Sequence, residues 1–412
     1  MNIAITGAAV ITAGLHSRSD LWQQVCHDRL LPAEAHTSET LNQLAQLSRG
    51  EANILSRQQQ LGLAAAELAW QQACLPPERQ ALRGEQQVPL QQPWRIKAGV
   101  VSASALGDLS SLLEEQSTPG SRPRPTSLSR WRGNALGAAV AVRFGLQGDQ
   151  FNLNAASSSG AQAIGLAARL LDAGLLDLVL VVGAEPALPC LLIEANRRCG
   201  ALASQGDSQP LSSDRSGMVP REAAGCLVLE HCQRAQARGA GVLAELHNSV
   251  SGCEAHHLVA PLPGQALSHQ LLQRLRREDN RAQTPIDWLC LHATGTPRFD
   301  REEVAFVNEA FATLPWISAL KRSLGHGLGA AGVVEAALIV EGLRCGEVPP
   351  WPAEIDPALG LPRQPAGGPP IPERALQLAS GMGGVVVMNL FSRGSSQLSS
   401  TDPGRVKGRD LG

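Results

Sequence analysis

The chain has 412 residues, with 35 Lys+Arg against 37 Asp+Glu and a formal net charge of −2. That length exceeds one ordinary domain, and the even charge balance excludes nucleic acid or a membrane surface as a general partner. Hydrophobic residues make up 43% while aromatics are 3% and Tyr is absent, so a closely packed Ala/Leu/Val core is expected.

In chain order, the first segment, MNIAITGAAV, reads as a buried strand because it lacks the basic region and long apolar core of a signal peptide. Short apolar strands then alternate with Ala-rich helices, the pattern of an α/β architecture. Strands are expected at 3–6, 98–102, 151–154, 178–182 and 226–229, and helices at 58–74, 134–144 and 158–173, the last closed by Gly174. The second half repeats the style. Strands are expected at 242–249, 288–291, 317–319, 376–379 and 385–390, and helices at 267–276, 300–311 and 328–343. Each half sets a small-residue turn before a long helix, at Ser157 and at Gly325-His326, which predicts an internal duplication divided at the Gly-rich turn 238–241. The halves are then 1–238 and 239–394.

Two segments fall outside the pattern. Residues 117–133 carry Arg122, Arg124, Arg130 and Arg132 among Pro and Ser, and are either a solvated loop, a subunit contact or a dock for an acidic carrier protein. The polar tail 395–412 is expected to be disordered. Nine cysteines without CxxC pairs or metal-ligand spacing read as reduced thiols of a cytoplasmic protein. No apolar run approaches the ~20 residues of a membrane span, since Asp177 and Glu185 interrupt the longest candidate.

The chemistry is concentrated in four stretches: Asn154-Ala155-Ala156-Ser157-Ser158-Ser159-Gly160, His292-Ala293-Thr294-Gly295-Thr296 with Asp300 and Glu303, Lys321-Arg322-Ser323-Leu324-Gly325-His326, and Gly381-Met382-Gly383-Gly384. In this order they resemble the motifs of the β-ketoacyl synthases, the decarboxylating condensing enzymes of the thiolase superfamily. Pro210–Gly225 adds a fifth match, with Arg215, Gly217, Glu222 and Gly225 in register. The resemblance runs from about residue 2 to about 393. It implies an α/β, thiolase-like layered αβαβα fold with two pseudo-duplicated halves. It also implies acyl groups delivered on the phosphopantetheine of an acyl carrier protein, without any other cofactor or a metal.

By the same resemblance, His292 and His326 hydrogen-bond a malonyl thioester carbonyl and stabilise the enolate formed as CO2 leaves, a preorganised electrostatic role. Lys321 and Glu303 match the pair that fixes charge and orientation around them, and Asp300 matches a helix-capping aspartate. The N–H groups of Ser157 and Met382 take the oxyanion positions, with Gly383 beside Met382 in the gating turn. Ser157 aligns with the family's nucleophilic cysteine, because this register keeps Gly160 three residues and Ala163 six residues downstream.

A serine there is the anomaly. A helix N-terminus brings a thiol of pKa ~8.5 to working pH. A hydroxyl nearer water's ~15.7 is out of reach of the ~0.3–2 kcal/mol a helix dipole supplies. Serine nucleophiles need an oriented general base, and no G-x-S-x-G elbow is present. Other family marks differ too: Ala155 replaces Thr, Ala293 a Gly, Arg221 and Ala223 two Gly, and Met382 the gating Phe.

This combination resembles chain-length factors, the subunits of type II polyketide and aryl-polyene systems that lack the active cysteine and pair with a catalytic ketosynthase. Two alternatives stand beside that heterodimeric role. One is an active β-ketoacyl-ACP synthase, with Ser157 natural or replacing a cysteine. The other is a malonyl-ACP decarboxylase using His292 and His326. A thiolase proper lacks support, because its second cysteine has no counterpart near Gly381–Gly384.

Overall fold

The computed structural model describes residues 3–394 apart from 13, 28–30, 32, 33, 83–92, 118, 119, 121, 205, 207, 280–283 and 363–367. The 395–412 tail lies outside the described residues.

Among the described residues five strands come from each half. They are β1 (Ile3–Thr12), β2 (Ala98–Ala103), β3 (Gln150–Leu153), β4 (Leu178–Glu185) and β5 (Ala223–His231), then β6 (Ala244–Cys253), β7 (Trp288–Cys290), β8 (Trp316–Ser318), β9 (Arg374–Gly381) and β10 (Val385–Arg393). They form one ten-stranded sheet of order β3-β2-β4-β5-β1-β6-β10-β9-β7-β8. Numbered within its own half, each set of five reads 3-2-4-5-1 from the outer edge inward. The pairing sense repeats as well: β2 is parallel to β3 and β4, as β7 is to β8 and β9. The inner pairs β4–β5, β5–β1, β9–β10 and β10–β6 are antiparallel. The expected duplication is therefore present in topology, with antiparallel β1–β6 pairing at its centre.

Among the described residues six helices reach ten residues or more: α1 (Arg57–Gln72), α2 (Ala135–Phe144), α3 (Ser159–Asp172), α4 (Ala266–Glu278), α5 (Pro297–Ala310) and α6 (Ala331–Cys345). α3 and α6 pack against each other and against strands of both halves, while α1 and α2 cover β1, β4, β5 and β2 and α4 covers β6 and β10. The result is the layered αβαβα, thiolase-like arrangement.

Composition explains the central layer. Thirteen of the 15 residues of α6 are buried, and apart from Glu335 and Glu341 those thirteen are apolar, as expected of a helix enclosed between sheets. Its approach to α3 requires glycine: a Cβ on Gly332 would lie 2.2 Å from the Ala161 nitrogen, and one on Gly160 2.8 Å from the Val333 nitrogen. Small residues, not aromatics, set this spacing.

Some expectations shift. β1 runs to Thr12, six residues past its expected end, across a register irregularity between Ile5 and Gly7. Leu328–Ala330 is a 3-10 turn, and α6 begins only at Ala331. Within 117–133, Ser127–Trp131 is a short helix rather than loop. Gly174 does close α3, in the left-handed region at φ 67°.

Candidate active site

The turn from β3 into α3 is held by its own serines. Ser159 Oγ accepts from the Ala155 amide at 2.8 Å and donates to the Ala156 carbonyl at 2.6 Å, and Ser158 Oγ donates to the Ala155 carbonyl at 2.7 Å. Ala156 is thereby bent to φ 50°, a left-handed conformation costly for a residue with a Cβ. The strain falls on the residue before Ser157, and the Ser157 side chain lines a cleft of about 80 Å³. His292, His326, Thr294, Thr296, Phe299 and Met382 share that cleft.

The β9–β10 turn closes over the same point. A Cβ on Gly381 would lie 2.6 Å from the Ala155 carbonyl oxygen, so only glycine lets the two turns meet. Met382 then packs beside Ala201, Met218 and Leu328.

Ser157 Oγ is 2.9 Å from His326 Nε2. The His292 and His326 rings stand edge to face with centroids 5.8 Å apart. Both Nδ1 atoms are buried with no hydrogen-bond partner among the described residues. An orphan N–H costs more than an orphan lone pair, so the favoured tautomer carries the proton on Nε2. His326 then donates to the Ser157 oxygen. Burial and the Lys321 cation hold both imidazoles well below the ordinary histidine range, and at His292 the neighbouring His326 adds to the effect. Two neutral Nε2–H donors in a sheltered cleft suit a developing oxyanion. They do not suit a general base, because no third group accepts from Nδ1 and Lys321 opposes an imidazolium.

Around the histidines lies a ring of enclosed charge. Lys321 is 1% exposed. Its Nζ donates to the His292 carbonyl at 2.7 Å and pairs with the Glu335 carboxylate. Glu303 accepts from the His292 and Ala293 amides at 2.7 and 2.8 Å. Burial nevertheless pushes its carboxyl up to about 7. Lys321 and Glu303 thus flank the same loop, but the ion partner of Lys321 is Glu335, not Glu303. Ala293 sits at φ 29°, which explains why the motif favours glycine at that place.

Asp300 does not cap α5. The N-cap is Thr296, and Asp300, in the first turn, accepts from the Gly295 and Leu211 amides at 3.1 and 2.8 Å. Burial raises its carboxyl to about 6. Arg215 pairs with Asp356, and Glu222 receives Arg57.

Two further buried acids, Glu335 and Glu185, support the site. Glu335 is one of two buried carboxylates in the otherwise apolar α6, the other being Glu341, and such a placement signals a buried cation partner. Glu185 ends the apolar strand β4 and accepts from the Ala105 and Gly329 amides at 2.7 and 3.2 Å. It anchors the turn that follows His326, and burial raises its carboxyl to about 7.

The fold and the paired neutral histidines define a thiolase-like condensing architecture. Models of the β-ketoacyl synthase N-terminal and C-terminal domains match residues 33–235 and 243–353. The chain belongs to the β-ketoacyl synthase family. It is 29% identical to a mitochondrial 3-oxoacyl-[acyl-carrier-protein] synthase of Arabidopsis thaliana, over 66% of this chain and 62% of that one. It is 30% identical to 3-oxoacyl-[acyl-carrier-protein] synthase 2 of Rhizobium meliloti (strain 1021), over 62% of this chain and 64% of that one. The match therefore spans a little under two thirds of these relatives' lengths. The solved ishigamide ketosynthase/chain length factor shares the fold at TM-score 0.79 and 22% identity, over 96% of this chain and 99% of that one. Ketosynthases take acyl groups carried on the phosphopantetheine of an acyl carrier protein, and the condensing fold needs no further cofactor. Among the described residues no helix is long and apolar enough to cross a membrane.

Proposed function

We propose that the chain is the non-condensing, chain-length-factor-like subunit of a cytoplasmic heterodimeric ketosynthase, in polyketide, polyene or fatty-acid-type chain elongation. A cysteine-bearing β-ketoacyl-ACP synthase is its partner, and an acyl carrier protein serves the pair. One observation carries this reading: the hydroxyl at the nucleophile position lies 2.9 Å from an imidazole that burial and Lys321 keep neutral, and that ring's Nδ1 has no hydrogen-bond partner among the described residues. Such a serine is an acceptor rather than an attacking group.

Two surfaces fit the partners. β3 is the outer strand of its half, and Phe151 on it is exposed, as are Leu106 and Leu128. Arg122, Arg124 and Arg132 are exposed in the neighbouring segment and suit an acidic carrier.

A second reading is favoured by the retained donors. His292 and His326 would hold a malonyl thioester carbonyl while its C–C bond breaks, releasing CO2 and an enolate that takes a proton from water to give the acetyl thioester. That activity needs no acylated residue.

Co-expression with ketosynthase genes encoded beside this one, followed by native mass spectrometry, tests the first reading. A stable one-to-one complex and no acylation of the isolated chain are expected. Condensation of acyl and malonyl carrier-protein thioesters by the purified chain alone, at ordinary ketosynthase rates, overturns it. Release of CO2 from malonyl carrier protein that is lost in His326→Ala identifies the second.

A further inference from the structure

The inward face of β6, β10 and β9 carries three polar side chains that the histidines and the ion pair leave unexplained. Ser249, Asn389 and Gln377 are register partners on adjacent strands and are all buried. Ser249 Oγ donates to Asn389 Oδ1 at 2.7 Å, and Asn389 Nδ2 donates to Gln377 Oε1 at 3.0 Å. The row then ends on main chain in the helix layer. Gln377 Nε2 donates to the Gly332 carbonyl at 2.7 Å, and Asn389 Nδ2 donates its second proton to the Ala161 carbonyl at 3.1 Å.

Those two carbonyls lie on either side of the glycine contact between α3 and α6, where the backbones touch at Gly160, Ala161, Gly332 and Val333. Ser157 stands four residues before Ala161, and His326 six before Gly332. The register of this crossing therefore sets the separation of the Ser157 hydroxyl from the His326 ring. Smooth small-residue surfaces leave such a crossing free to slide, whereas a directional bond to each helix pins it. Leu or Met would fill the same space without the desolvation of three polar groups, so filling space does not account for the amides. The Gln377 amide also favours the ionised form of Glu335, which couples the row electrostatically to the partner of Lys321.

We propose that Gln377 and Asn389 are positioning residues that fix the Ser157–His326 geometry through the α3–α6 crossing. They touch no substrate, and the role holds whichever reaction the site serves.

The full-length Ser157→Cys protein provides the readout, since the reactivity of a thiol beside His326 reports their separation. Alkylation of Cys at 157 by iodoacetamide is followed by peptide-resolved mass spectrometry between about pH 5 and pH 10, so the native cysteines do not interfere. Adding Gln377→Met or Asn389→Leu should change the rate at neutral pH by about five-fold and displace the pH profile. Leu63→Ala, a buried change on α1, should lower the melting temperature and leave the profile in place. Superimposable profiles for Gln377→Met and Asn389→Leu, or an equal displacement in Leu63→Ala, overturn the proposal. Should Asn389→Leu fail to fold, Ser249→Ala frees only Asn389 Oδ1 and should move the rate about two-fold; an unchanged rate overturns the proposal equally.

Discussion

The two halves repeat the same five-strand order, yet they treat charge in opposite ways. Around Ser157 the N-terminal half places Ala155, Ala156, Ser158 and Ser159, all neutral and small, and the turn closes through their own hydroxyls. The C-terminal half builds its share from Lys321, Glu335, Glu303 and Asp300, each tied to backbone or to another charge. A nucleophile seated in the first setting depends on one atom, and exchanging sulfur for oxygen leaves the fold untouched. The second setting is interlocked with the fold, so none of its members is dispensable. A serine at the nucleophile position is therefore compatible with an intact histidine side on structural grounds.

The largest expected effect tests that interlocking. Lys321→Met leaves Glu335 buried without its cation and should cost about 3–5 kcal/mol in urea unfolding. Lys321→Met/Glu335→Leu should recover most of it, because removing both charges also removes their desolvation. If Lys321→Met costs no more than Ser157→Ala, the contrast between the halves collapses.

Glu303 sharpens the same contrast through pH. Its folded pKa of about 7 lies above the unfolded value near ~4.3. Its contribution is therefore fully present below ~4.3 and is lost as pH rises through about 7. Glu303→Gln cannot ionise, so its stability should fall less between pH 5 and pH 8, by about 2 kcal/mol relative to the parent. Parallel stability curves for the two proteins would show that the carboxyl titrates normally.

Much of this was legible in the chain. Among the described residues the strands fall where short apolar or alternating runs are expected, β3 being the half-polar case, and His292 and Lys321 follow strands β7 and β8 closely. Other features lacked a local signal. The helix Cys190–Arg198 buries none of its residues, so no apolar stripe facing a core announces it. Glu335 carried a signal, an acid in an apolar helix, but its partner lies 14 residues away across a turn. Gln377 and Asn389 gain meaning only from strand register, which the sequence does not specify.

Ser157→Cys asks whether the N-terminal half lacks anything beyond sulfur. The helix N-terminus and the nearby imidazole should favour the thiolate. Alkylation at position 157 near pH 7 should then run about tenfold faster than at exposed Cys74. Equal rates would mean that the turn itself no longer activates a nucleophile.

The smallest effect separates the roles of the hydroxyl. Ser157→Ala removes the acceptor 2.9 Å from His326 Nε2, and because the cleft admits water the cost should be about 1 kcal/mol. The chemical consequence has a definite sign. As an acceptor, Ser157 competes with a thioester carbonyl for the Nε2–H, so its loss should leave any malonyl decarboxylation unchanged or faster. Were Ser157 the attacking group, the same substitution would abolish acyl transfer altogether. Measuring CO2 release and acyl transfer on one Ser157→Ala preparation therefore decides whether the oxygen is an occupant of the site or its reagent.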